Sequence, residues 1–199
     1  MNAHLMQINI EHGWDIIHSQ TIAQIYDDAF GAKFARAIPD KAKRLAVLAD
    51  CFMPEYSFIA FDNDQPVGVA GFSDQNGALT SGIDFIGLFK HLGILGGIRA
   101  CVIFSLYERQ PKSRELVMDG IAITESHRGR GIGTQLLDSI ISYAQSHHYS
   151  SIRLDLINSN PRAKKLYEAK GFVVVETDYF PYLNWLLGFS GSTTMQFTL

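Results

Sequence analysis

The sequence predicts a single mixed α/β domain, a mixed sheet flanked by helices, and three observations carry that expectation. Strand-like and helix-like segments alternate along all 199 residues, a length that suits one hydrophobic core. An apolar run at 115–124 passes through a glycine-rich turn directly into an amphipathic segment, the strand–turn–helix order of an α/β unit. The polar turn Asp62-Asn63-Asp64-Gln65 separates two β-rich runs, which marks a hairpin.

Taken in order, residues 7–10 read as a first strand. Residues 15–30 read as a helix with Ile16, Ile17, Ile22, Ile25 and Tyr26 in an apolar stripe, and 41–52 as a second helix. Strands at 56–61 and 66–72 form the hairpin. An apolar helical insertion follows at about 83–108. Its core, 83–107, is interrupted by Asp84, Lys90, His91 and Arg99, so it falls short of the ~20 nearly unbroken apolar residues of a membrane span. Gly96-Gly97 is expected to break it into two short helices or a helix and a turn. Core packing or a homodimer face is its first reading; a lid over a substrate pocket or contact with a membrane surface are the alternatives.

After strand 115–124, a helix from 134 to about 147 places Leu137, Ile140, Ile141 and Ala144 on one face. A strand at 151–157 and a helix at 161–170 come next, with Gly171 just past the helix end. Final strands are expected at 172–176 and 193–199.

The composition narrows the function. A net charge of −3 argues against nucleic acid as the main partner. The two cysteines, Cys51 and Cys101, lie far apart without metal spacing, and the histidines form no H-E-x-x-H pattern, so no metal is expected and free thiols in a reducing cytoplasm are. The first eleven residues lack the basic and apolar regions of a signal peptide.

The run Arg128-Gly129-Arg130-Gly131-Ile132-Gly133-Thr134 carries the chemistry. Glycines let a backbone approach a ligand closely, helix-start N–H groups point at phosphate oxygens, and the helix dipole favours negative charge there. Two arginines add cationic donors. The spacing does not match the G-x-G-x-x-G dinucleotide fingerprint, and no lysine stands where a P-loop requires one.

The pattern R-x-x-G-x-G after a strand, met by Arg128, Gly131 and Gly133, resembles the coenzyme A pyrophosphate loop of the GCN5-related N-acetyltransferase (GNAT) superfamily. Asn160-Pro161-Arg162-Ala163-Lys164-Lys165-Leu166-Tyr167 followed by Gly171-Phe172 is similar to the same superfamily's second signature, N-x-x-A-x-x-x-Y-x-x-x-G-F. The resemblance runs from Glu115 to Phe172. It implies one transferase domain over 1–199, with a central, mostly antiparallel sheet of about six to seven strands. It also implies a cytoplasmic enzyme using acetyl-CoA as cosubstrate, with a small-molecule or peptide amine as the other partner.

Carried onto this chain, the loop from Arg128 to Thr134 would hold the pyrophosphate, and the pantetheine arm would lie along the backbone of Ile121, Ala122 and Ile123 like an added strand. Tyr167 is the expected general acid, since a phenol stays protonated at neutral pH. Asn160 shares its helical face and serves as helix cap, coenzyme contact or both. The general base is Asp155, Asp119 or a relayed water. Asp155, in Leu154-Asp155-Leu156, is placed like the carboxylate of protein N-terminal alanine acetyltransferases, whose strand reads L-E-V. Neither cysteine sits in an acyl-enzyme motif, so direct transfer in a ternary complex is expected. A non-catalytic acyl-CoA-binding module and a transferase for longer acyl chains are the rival readings.

Overall fold

The computed structural model describes residues 8–82, 85–105, 111–157, 160–179 and 191–199. The strands are β1 (Ile8–His12), β2 (Ser57–Asp62), β3 (Gln65–Ser73), β4 (Glu115–Ile123), β5 (Ser151–Ile157), β6 (Val173–Tyr179) and β7 (Gly191–Thr198). The helices are α1 (Ser19–Phe34), α2 (Lys41–Cys51), α3 (Phe85–Ser105), α4 (Ile132–Ser146) and α5 (Pro161–Ala169). One seven-stranded sheet runs in the order β1-β2-β3-β4-β5-β7-β6. Among the described residues only β4 and β5 pair in parallel; the other pairs are antiparallel.

Side-chain alternation gives each sheet face its own core. Leu116, Met118, Ile152, Leu154 and Met195 point to α4 and α5, where Leu136, Leu137, Ile140 and Tyr167 meet them. On the other face, Ile59, Val69 and Ala122 pack under Ile22, Ile25 and Tyr26 of α1 and Leu48 of α2. The α1–α2 corner is closed by a buried ion pair in which Arg44 also donates to the Ile38 carbonyl.

Three sequence expectations need correction. Ile16 and Ile17 are 74% and 75% exposed. They occupy a separate 3-10 turn, capped by Asp15, that ends before α1 starts at Ser19, so they do not share its apolar stripe. The apolar insertion breaks at Gly93 (φ +71°, ψ 176°), not at Gly96-Gly97. The bend folds Phe89 onto Gly97, where a Cβ would clash with the ring, so that glycine is used for close packing. β6 runs to Tyr179, past the expected 176, because its partner β7 continues alongside it. Gln7, Ile83, Asp84, Leu106 and Tyr107 lie outside the described residues. The Asp62–Gln65 turn is a two-residue hairpin whose central residues, Asn63 and Asp64, both have positive φ (47° and 63°), the twist that hairpins favour.

The feature that positions the site is a divergence of β4 from β5. Their parallel register covers only Glu115–Met118 against Ser151–Leu154. Beyond it, β4 stays with β3 to Ile123 and β5 stays with β7 to Ile157. A bulge steers β4 away: Gly71 faces Gly120 and Phe72 faces Met118, leaving Asp119 as the extra residue. Gly120 (φ +137°) must be a glycine, because a Cβ there would sit 2.6 Å from the Phe30 ring.

Candidate active site

The glycine loop closes on itself before α4 begins. Gly129 and Gly131 have φ near +80°, and Gly131 is the left-handed N-cap of α4. No atom lies within 4 Å of a Cβ placed on Gly131, so the loop faces open space that a phosphate can enter. As the first helical residues, Ile132 and Gly133 have N–H groups without intrahelical partners, aimed at that space. Thr134 differs from expectation: its N–H donates to the Gly131 carbonyl at 3.0 Å, which withdraws it from the donor set. His127 braces the loop by bonding Asp62 on the β2 hairpin at 3.1 Å and Thr124 at 2.9 Å.

The loop arginines divide their work. Arg128 Nε donates to the Ile123 carbonyl at 3.2 Å and ties the loop to the end of β4. Arg162, to which the sequence reading gave no role, brings its guanidinium Nη2 within 3.8 Å of a Cβ placed on Gly129. The signal for it was its place just inside the α5 start, two residues after the capping Asn160.

Along β4, hydrogen-bond alternation decides which backbone groups face the divergence. Thr124 N–H donates to the Val67 carbonyl at 2.9 Å. Antiparallel pairs alternate, so Ala122 opposite Val69 also spends its backbone on β3. The N–H and C=O groups of Ile121 and Ile123 therefore point towards the side that β5 has left. Ala122 itself is buried under α1, so of the three expected positions, two present backbone to the gap.

From α5, Asn160 caps the helix by accepting from Ala163 N–H at 3.1 Å, which establishes its structural role. Tyr167 is 5% exposed among Ala163, Leu154, Leu156 and Phe172. Burial pushes its phenol up to about 12, so it is fully protonated at neutral pH.

The two carboxylates proposed from sequence each follow the end of the parallel ladder. Met118 and Leu154 are the last paired residues, and Asp119 and Asp155 are the next residue on each strand. Both lie on the face opposite α4 and α5. Asp155 alternates with the core residues Leu154 and Leu156 and accepts from the Thr194 hydroxyl. Asp119 reaches within 3.4 Å of a Cβ placed on Gly71 and, after burial, is the leading charge raising the Tyr26 pKa. Tyr167 and these carboxylates thus approach the divergence from opposite faces of the sheet. A cleft of about 280 Å³ beside Asp155 is lined by Arg153, Glu176, Asp178 and Thr194. In it Arg153 pairs with Glu115 at 3.3 Å, while its Nε and Nη2 are buried without a partner.

Such an arrangement can receive an anion at a helix start and an extended chain along a strand edge. Among the described residues no cluster of metal-ligating side chains occurs.

Comparison with known proteins fits this geometry. The acetyltransferase (GNAT) family profile matches residues 20–172. A GCN5-related N-acetyltransferase from Kribbella flavida superposes with a TM-score of 0.64 at 16% identity, over 96% of this chain and 98% of that one. The yncA protein of Salmonella typhimurium, solved with its cofactor acetyl-CoA, gives 0.61 at 18% identity over 96% and 94%. The ribosomal-protein-S18-alanine N-acetyltransferase of Escherichia coli gives 0.54 at 15% over 96% and 94%. At these identities the likeness establishes the fold. No curated protein sequence matches the chain.

Proposed function

The chain belongs to the acetyltransferase (GNAT) family, and from that premise we propose that it moves an acetyl group from acetyl-CoA to a primary amine of a small molecule or peptide, directly, in a ternary complex. One observation carries the reading: the β4–β5 divergence opens beside the glycine loop, with Tyr167 on one face and Asp119 and Asp155 on the other. Acetyl-CoA supplies an activated thioester. The protein's residues do the rest.

The N–H groups of Gly129 to Gly133 and the Arg162 and Arg130 side chains hold the pyrophosphate, while Arg128 keeps the loop attached to β4. Ile121 and Ile123 hydrogen-bond the extended arm, and an N–H of this edge polarises the thioester carbonyl. An acceptor ammonium, with a pKa of roughly 8 to 10, passes a proton to Asp155 or Asp119, directly or through water. Tyr167 donates to the departing sulfur. Its phenol, raised to about 12, is a weaker acid than a thiol near 8.5, so it works as a hydrogen-bond donor that stabilises the developing thiolate.

The two cysteines are free and Cys51 is buried, which supports direct transfer in a reducing compartment over an acyl-enzyme. The test is Tyr167→Phe. Turnover should fall by ~10²-fold or more while acetyl-CoA binding, read by thermal shift, stays near wild type. An unchanged turnover removes Tyr167 from the mechanism, and no acetyl-CoA shift in the wild type removes the transferase reading.

A further inference from the structure

The transferase reading assigns no chemistry to α3. From Ile86 to Phe104 it is long and apolar enough, by composition, to cross a membrane. The break at Gly93 prevents that: the longer half, residues 94–105, spans about 18 Å of a hydrocarbon core ~30 Å thick. Its inner side is already committed to the body, with Leu88, Ala100 and Ile103 against Ala37, Ile38 and Val47. Its outer side carries Ile94, Leu95, Ile98 and Val102, exposed by 73%, 84%, 50% and 59%, which form one stripe at helical spacing. Before the break, Ile86 is 78% exposed as well.

The charges point to one occupant. Residues 85–105 contain Lys90, His91 and Arg99 and no acidic residue. His91 is paired with Asp50 at 2.9 Å, Arg99 Nε donates to the Ala37 carbonyl at 3.1 Å, and Lys90 and Arg99 are both exposed. In a two-fold dimer through this face the same helix would meet itself, bringing Lys90 and Arg99 towards their own copies with no acid on α3 to pair them. Lipid phosphates provide the matching charge, and acyl chains take the isoleucines and leucine. We propose that the outer face of α3 docks flat on an anionic membrane surface, with Lys90 and Arg99 at the headgroups, so that the transferase works as a peripheral protein.

The full chain tests this by co-sedimentation with vesicles of equimolar phosphatidylcholine and phosphatidylglycerol, against vesicles of phosphatidylcholine alone. The wild type should sediment with the anionic vesicles at low salt and far less with the neutral ones. The triple variant Ile94→Ser, Leu95→Ser, Ile98→Ser removes only exposed side chains, and should partition about tenfold less or weaker with circular dichroism and acetyl-CoA thermal shift unchanged. Lys90→Glu should weaken binding to anionic vesicles alone. No sedimentation of the wild type, equal binding to neutral vesicles, or undiminished binding of the triple variant overturns the proposal. So does a dimer in light scattering that the triple variant dissolves, which would give the face to a second copy.

Discussion

Two helices of this molecule are rich in aliphatic residues and meet opposite fates. α4 buries Ile132, Leu136, Leu137, Ile140 and Ala144 in one stripe and turns Asp138, Ser142 and Gln145 away from the sheet. α3 is more apolar, yet it leaves Ile94, Leu95, Ile98 and Val102 in contact with solvent. The difference lies in pattern, not in amount. The apolar residues of α4 share one side and meet one sheet, whereas α3 carries apolar residues on two sides, one packed on the body and one exposed. α4 is therefore scaffold for the site, and α3 is surface.

The comparison predicts a graded set of effects. Leu137→Ala, in the α4 stripe and fully buried, should cost about 2–5 kcal/mol in denaturant unfolding; a cost below 1 kcal/mol would break the contrast. Next comes alkaline pH. The Tyr167 phenol moves from 10 to about 12 and the Cys51 thiol from 9 to about 12 on folding, both through burial. Raised values favour the fold below the unfolded pKa and are lost as pH rises through the folded one. Tm should thus hold to pH 9 and fall between 9 and 12, with Tyr167 alone contributing on the order of 3 kcal/mol of the decline. Tyr167→Phe should flatten the slope above pH 10.

Glycine substitutions sharpen the contrast further, because Gly93 and Gly131 both have open surroundings and positive φ. Gly131 is in the ordinary left-handed region, where alanine costs roughly 1 kcal/mol, so Gly131→Ala should lower stability slightly and show its larger effect as a weakened acetyl-CoA thermal shift. Gly93, at ψ 176°, occupies a region closed to other residues at about 1–3 kcal/mol. Gly93→Ala should destabilise more while sparing coenzyme binding. Smallest of all, Leu95→Ser should change stability by less than ~0.5 kcal/mol.

The sequence revealed most where local chemistry decides the outcome. The Asp62–Gln65 hairpin, the strand into the glycine loop and the Asn160 cap are set by residues adjacent in the chain, and they stand where periodicity and turn residues placed them. Ile16 and Ile17 misled because periodicity carries no information about a capped turn inserted ahead of α1. Gly96-Gly97 looked the better helix breaker than the single Gly93, but the choice depended on Phe89 needing a surface without side chains. At the site, Tyr167 and Asp155 were legible as types. That they lie on opposite faces, with Asp119 in a bulge just past the end of the β4–β5 ladder, depends on that bulge and on where a parallel ladder stops. Both are long-range properties that no local pattern encodes.

The short β4–β5 ladder has one more consequence. The sheet's two portions, β1 to β4 and β5 to β7, are joined as strands through four register pairs alone. An extended ligand along Ile121 and Ile123 would act as the next rung between them. Without it, amide exchange in the two portions can report separate openings, each with its own free energy. With it, the slowest amides on both sides should converge on one common rate, so that occupancy sets the size of the cooperative unit.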